Sequence, residues 1–243
     1  FEGKKIFPFK DEEFVRMWIA DMEFAMCPHI IDAIKERLDK RIIGYSQVFE
    51  QSFYDAYNEW SEKMYGWTYP RKDFCFSLGI IPALFKLTEF LLTDNEYAIV
   101  NTPAYGYFQH ALNYNGKKAL YNKLVRDEKG RWQIDFAALE RDAANPMAKL
   151  LIWCNPHNPT GRVWTEEELK KVAAIVEKYN LWIISDEIHC DLLRQGQRHI
   201  PMAKIMPGYD KLIACTSASK CFNMAGMMFA EIFIRDEVLR DWY

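Results

Sequence analysis

Lys220 stands in Ser217-Ala218-Ser219-Lys220-Cys221-Phe222-Asn223, directly after the apolar run at 211–217 and shortly before Gly226. An amine at the carboxyl end of a buried strand can condense with a carbonyl to give a Schiff base, and nearby hydroxyls can hold a phosphate. Most lysines simply solvate a surface. This one gains weight from two other segments that carry the partners such an amine needs. Asp186 ends the apolar stretch of 181–188, where a carboxylate suits a protonated pyridine nitrogen and keeps that ring an electron sink. Taken alone, an aspartate after a strand reads equally as a turn cap. Asn155-Pro156-His157-Asn158-Pro159-Thr160-Gly161 is a turn whose prolines restrain the backbone, so an asparagine amide can be held towards a ring oxygen.

Three weaker signals accompany these. Ser77-Leu78-Gly79-Ile80-Ile81-Pro82 leads from a strand into a helix. Gly79 would let the backbone approach an anion that the first free amides and the helix dipole favour, although a glycine turn serves tight packing as well. Tyr105, in Asn101-Thr102-Pro103-Ala104-Tyr105, suits stacking on an aromatic ring and suits core packing equally. His189 has no second histidine at ligand spacing, so the sequence gives no metal site.

The surrounding elements are those of an α/β domain. Pro28 opens a helical run over 28–40, and an aromatic-rich helix is expected over 50–65. Further helices are expected at 81–92, 107–114 and 135–143, with Thr165 and Glu168 forming a capping box before an amphipathic helix at 165–180. Short apolar runs at 74–77, 97–101, 149–155, 181–188 and 211–217 read as strands buried on both faces, which argues for a parallel sheet. Ligands of such sheets bind beyond the carboxyl ends of the strands. Gly79, Tyr105, Asn158, Asp186 and the 217–220 run all fall there.

The chain has 243 residues, half of them hydrophobic, and a formal net charge of −3. That length supports one large core, and the near-neutral balance offers no attraction for nucleic acid or an anionic membrane. No apolar run approaches the roughly 20 residues that span a bilayer. Cys27, Cys75, Cys154, Cys190, Cys215 and Cys221 form no C-x-x-C pair and read as reduced thiols of a cytoplasmic protein. The chain opens at Phe1 and stops at Tyr243, inside a helix that Asp236 would cap, so it reads as part of a longer protein.

Together, Asn158-Pro159-Thr160-Gly161, Asp186 and the Ser-x-Ser-Lys of 217–220 resemble the class I/II aminotransferase family, the fold type I pyridoxal-phosphate enzymes. Trp18-Ile19-Ala20-Asp21-Met22-Glu23-Phe24, the run at 156–164, Asp186-Glu187-Ile188-His189-Cys190-Asp191-Leu192 and the run at 219–226 resemble its MalY/PatB branch, the cystathionine β-lyase-like C–S lyases. The resemblance implies a three-layer α/β/α large domain with a mostly parallel sheet, the small carboxy-terminal domain missing from this chain. It divides the chain into an amino-terminal, dimer-contacting segment (1–45), a cofactor-binding large domain (46–235) and the start of a carboxy-terminal helix (236–243).

The same resemblance implies the roles. Lys220 would hold pyridoxal 5'-phosphate and later move the Cα proton. Asp186 would pair with the pyridine nitrogen, Asn158 would bond the ring oxygen, His189 would stand near that oxygen, and Tyr105 would stack on the ring. Ser217, Ser219 and the amides at Gly79, Ile80 and Ile81 would hold the phosphate. Tyr45 would reach the phosphate of a neighbouring subunit, implying a homodimer with a shared active site. Met228 departs from the pattern, because many relatives carry a phosphate-neutralising arginine at that position. The expected activity is β-elimination on a sulfur amino acid such as cystathionine or cysteine. An aminotransferase uses every residue named so far, and a cofactor-binding regulatory protein is a third reading.

Overall fold

The computed structural model of the chain describes residues 13, 19–45 and 50–243. Trp18, first residue of the Trp18–Phe24 run, lies outside the described residues. In chain order the elements are α1 (Pro28–Asp39), α2 (Gln51–Tyr65), β1 (Phe74–Ser77), α3 (Ile80–Leu91), β2 (Tyr97–Thr102), α4 (Gly106–Tyr114), β3 (Lys118–Lys123), β4 (Val125–Arg126) and β5 (Trp132–Gln133). They continue with α5 (Phe136–Ala143), β6 (Ala148–Cys154), α6 (Glu166–Lys178), β7 (Trp182–Asp186), α7 (Met202–Ile205), β8 (Leu212–Thr216), β9 (Ala230–Ile234) and α8 (Glu237–Trp242).

The main sheet has seven strands in the order β1-β9-β8-β7-β6-β2-β3. All pairs are parallel except those of β9, which runs against both β1 and β8. Because β9 enters from the opposite direction, its amino end meets the carboxyl ends of the other strands. Side chains alternate across the pleat. On β6, Leu150, Ile152 and Cys154 pack with α3 and α4, while Leu151 and Trp153 pack with α5 and α6. Two apolar clusters thus sandwich the sheet, one on each face, and the three-layer α/β/α architecture follows.

The expected strands and helices form, with ends moved by one or two residues. The strand expected over 181–188 stops at Asp186, where the chain turns and Glu187 donates its backbone N–H to Cys215 O at 2.8 Å. The capping box of α6 is complete, Thr165 and Glu168 each bonding the other's backbone. Asp236 caps α8 by accepting from Leu239 N at 2.7 Å. Five elements carried too little sequence signal. β3 is a polar edge strand, β4 and β5 form a two-residue pairing, α7 spans a single turn, and β9 holds the buried carboxylate of Glu231 inside an apolar run.

The layering predicts two unequal costs. Leu151→Ala, fully buried between β6 and its helices, is expected to lower stability by about 2–5 kcal/mol. Thr165→Ala, which loses only a cap, is expected to cost about 1 kcal/mol. Urea denaturation of both variants measures the two, and a Leu151→Ala loss no greater than that of Thr165→Ala would contradict this account of the core.

Candidate active site

The carboxyl ends of the parallel strands form one edge, and the expected site residues gather along it. Register sets Cys154 beside Asp186 and Asp186 beside Cys215, so the turns after β6, β7 and β8 emerge side by side. Beyond β9, β1 runs through Ser77 and Leu78 to Gly79, and on the opposite side, next to β6, β2 leads through Pro103 to Tyr105 at the head of α4.

Asp186 is the central group. It is only 5% exposed, and its Oδ1 accepts one backbone hydrogen bond, from Ile188 N at 3.2 Å. Burial raises its pKa to about 7; the Ile188 bond pulls the other way and Glu187 adds to the rise. Tyr105 is half-buried, and its hydroxyl is pushed up by burial, then by Tyr107 and by the charge of Asp186. That coupling places ring and carboxylate within electrostatic reach. His189, also half-buried, is held below the ordinary imidazole range by burial and by the neighbouring Lys220 ammonium. Lys220 itself is half-buried rather than enclosed.

The Asn155–Gly161 turn divides its labour. Asn155 donates its side-chain amide to Ile200 O at 3.0 Å, and its backbone N–H to Asp186 O at 2.9 Å. His157 is buried, bonds Thr160 Oγ1 through Nδ1 at 2.8 Å, and is pushed down to about 4 by burial, which keeps it neutral. These residues hold the turn against β7. Asn158 is fixed through its backbone, N–H to Cys154 Sγ at 3.3 Å, and keeps a half-exposed side-chain amide available.

The anion side is built from backbone. Gly79 has φ 128°, a conformation side chains rarely adopt, and it heads the twelve-residue α3 with no side-chain cap. The amides of Ile80 and Ile81 at this helix start are those a bound anion would satisfy. Ser217, expected at the phosphate, also makes bonds within the chain. Its hydroxyl donates to Phe229 O at 2.8 Å and accepts from Ser219 N at 3.1 Å, so it braces the loop against β9 and its proton is committed. Ser219 keeps its hydroxyl for a ligand. Met228 is 56% exposed at φ 52° and brings no cation to this edge. Tyr45 is fully exposed and far from contributing to the site of its own chain.

Two features escaped the sequence reading. Glu187, 1% exposed, accepts from Ser185 Oγ at 2.7 Å and from Met202 N at 2.9 Å, and pairs with His199 Nε2 at 2.8 Å. This buried group underpins the turn that carries Asp186 and His189. The acid pair Asp186-Glu187 was a visible signal, but its histidine partner lies twelve residues on and no spacing rule connects them. The second feature is a cavity of about 260 Å³ lined by Tyr57, Trp60, Tyr65, Phe222, Phe229 and Glu231. It lies between α2 and the turns after β7 and β8, where Cys190, Asp191, Thr216, Ser217 and Ala218 also line it, so it adjoins the edge described above. Among the described residues, no group of His, Cys, Asp or Glu is placed to hold a metal, and no helix is long and apolar enough to cross a membrane.

Comparison with known proteins places the fold and the family. The chain is 36% identical over 225 residues to cystathionine beta-lyase PatB of Bacillus subtilis (strain 168), covering 92% of this chain and 58% of that protein. It is 32% identical to protein MalY of Escherichia coli (strain K12), covering 93% of this chain and 57% of that one. The PLP-bound C-S lyase from Staphylococcus hominis superposes with a TM-score of 0.92 at 43% identity, over 95% of this chain and 59% of that one. The chain therefore spans somewhat under three fifths of the length of these relatives. Residues 13–242 match the family model "Aminotransferase class I and II", and the chain belongs to that family.

Proposed function

We propose that the protein is a pyridoxal-phosphate-dependent C–S lyase that carries out β-elimination on a sulfur amino acid such as cystathionine or cysteine. One observation carries the reading: Asp186 is a buried carboxylate, raised to about 7, and among the described residues its side chain accepts a hydrogen bond from the backbone N–H of Ile188 and forms no ion pair. A buried acid lacking a cation is unfavourable unless a ligand provides one. A protonated pyridine nitrogen is such a cation, and the uncapped start of α3 fits the cofactor's phosphate at the other end. The names of the relatives, a cystathionine beta-lyase and a PLP-bound C-S lyase, support the same choice.

Pyridoxal phosphate, when bound, supplies an electron-withdrawing ring that delocalises the electrons left when the Cα–H bond breaks. The chain's own residues do the rest. Lys220 Nζ would hold the cofactor and, as a free amine, would accept the Cα proton. Asp186 keeps the ring nitrogen protonated, and that nearby positive charge in turn favours its ionised form. Asn158 donates its amide to the ring oxygen, with His189 neutral beside Lys220, and Tyr105 stacks on the ring. The amides of Gly79, Ile80 and Ile81 bind the phosphate together with Ser219, while Ser217 holds the loop that presents it. Departure of the thiolate from Cβ then leaves a fragment that hydrolyses to pyruvate and ammonia.

Tyr45, exposed at the end of the amino-terminal segment, is proposed to reach the phosphate in a second subunit, which makes the active enzyme a homodimer. The proposed division of labour runs from the dimer-contacting segment (1–45) through the cofactor-binding domain (46–235) to the start of the carboxy-terminal part (236–243). Six free cysteines suit a cytoplasmic location.

Three measurements test this reading. Complete protein incubated with cystathionine is expected to release pyruvate and thiol without any added keto acid; turnover that requires a keto acid would instead identify an aminotransferase. Lys220→Ala is expected to abolish the visible absorbance of the bound cofactor and to slow turnover about a hundredfold or more, whereas an unchanged spectrum would move the linkage to another residue. Asp186→Asn is expected to cut kcat by a similar factor of about a hundred or more.

Asp186 also makes a sign-specific statement about stability. Its folded-state pKa lies above its ordinary value, so the folded chain binds the proton more tightly, and stability without cofactor falls as pH rises from about 4 to about 7. Cofactor-free Asp186→Asn should therefore melt above the parent at pH 8, with the gap shrinking towards pH 5. A gap of equal size at both pH values would contradict the burial argument.

A further inference from the structure

The lysine loop is fastened to a segment two hundred residues earlier in the chain by one side chain. Asn223 Oδ1 accepts from Met22 N at 3.2 Å, while its Nδ2 donates to Met22 O at 3.0 Å and to Phe24 O at 2.9 Å. The amide uses its acceptor and both donor hydrogens on one short strap, and it pairs with Met22 at both the N–H and the C=O, much as a neighbouring strand would.

Among the described residues, little else holds this strap. Asp21, Glu23 and Phe24 are exposed, Phe24 at 77%, and the following α1 buries no residue. On the other side, Asn223 is built into the lysine loop. Its N–H reaches Lys220 O at 3.4 Å, the adjacent Met224 N donates to Ser219 O at 2.8 Å, and Phe222 N donates to Ala218 O at 3.0 Å. Asn223 adopts φ 54°, a left-handed conformation that asparagine tolerates better than most residues. A residue that must both turn the loop and present an amide outward has few alternatives.

We propose that Asn223 is a positioning residue that seats the strap Asp21–Phe24 as a wall beside Lys220, so that the amino acid substrate meets the amine through an opening defined by both segments. The proposal rests on the lyase reading only in taking Lys220 as the cofactor-bearing amine. Asn223 touches neither cofactor nor reacting atoms. Its effect is to fix the strap, and with it the shape of the opening, before substrate arrives.

The test uses the complete, cofactor-loaded protein and the variant Asn223→Gly. Glycine adopts the same backbone conformation without strain, so the variant removes the amide and leaves the turn. Amide exchange at Met22 and at residues 24–25, read by hydrogen–deuterium exchange, is expected to accelerate about tenfold or more in the variant, as loss of a protecting side-chain bond implies. The concentration of cystathionine needed for half-maximal change in cofactor absorbance is expected to rise by a similar factor of about ten, and KM with it. Cofactor absorbance itself, kcat and the melting temperature should stay close to those of the parent.

Unchanged exchange at Met22 would overturn the proposal, because the strap would then be held by something else. Faster exchange with unchanged KM would overturn it too, because the strap would not border the substrate's path. Failure of the parent to make pyruvate would instead count against the lyase reading. Strap exchange and cofactor absorbance do not depend on which reaction follows, so the two failures are separable. Asn223→Ala serves as a second variant, expected to match Asn223→Gly in strap exchange while losing some stability through the strained φ.

Discussion

The carboxylate of Asp186 is the constraint around which this edge of the fold is organised. It sits at the last residue of β7, in register with Cys154 on one side and Cys215 on the other, and is buried there. Burial there opposes ionisation and pushes the group to about 7. A protein that needed only a turn cap would place the same side chain in solvent and lose nothing. Retaining it inside, with the buried Glu187–His199 pair directly behind, is destabilising in the empty chain and makes sense as the seat of a cation that arrives with a ligand.

The location of that seat was readable in the sequence because strand ends are punctuated by composition. Apolar runs that stop at Asp186, Asn155 and Ser217 say where a parallel sheet ends, and ligands of such sheets bind at those ends. Glycine at 79 said that the backbone there takes a special path, and its φ of 128° bears this out. What stayed hidden depends on distance along the chain. The brace from Ser217 to Phe229, the His199 partner of Glu187 and the grip of Asn223 on Met22 join residues 12 to 201 positions apart, and local periodicity carries no information about such pairs. β9 was hidden for a different reason: it opposes the direction of its neighbours and holds a buried glutamate, against both the apolar pattern and the parallel rule.

Ser217 shows bonds within the chain that a motif alone does not disclose. Two hydroxyls near a lysine suggest two equal phosphate ligands. In the fold, one of them ties the loop to β9 through a carbonyl, and that bond orients the next amide and the second hydroxyl. A serine that holds a neighbour in place affects a ligand as surely as one that touches it, but by way of loop order rather than direct attraction. Asn223 extends the same logic outward, from the loop to the strap beyond it.

The charge inventory of the proposed site leads to a last step. Of the residues assigned to it, only Lys220 is a lysine or arginine, and Met228 stands where the family resemblance leads one to expect an arginine. A phosphate dianion held without a guanidinium depends on backbone amides at the start of α3, on the partial positive charge of that helix end, and on a serine hydroxyl. Such a cradle attracts an anion less strongly at long range than an ion pair does, and its effect is confined to the first turn. In the proposed site, a covalent link at Lys220 and ring contacts at Asp186 and Tyr105 would then contribute a larger share of cofactor retention than they would beside an arginine. This places the weight of binding at the ring end, where the buried acid already demands a cation, and leaves the phosphate end chiefly to orient the group.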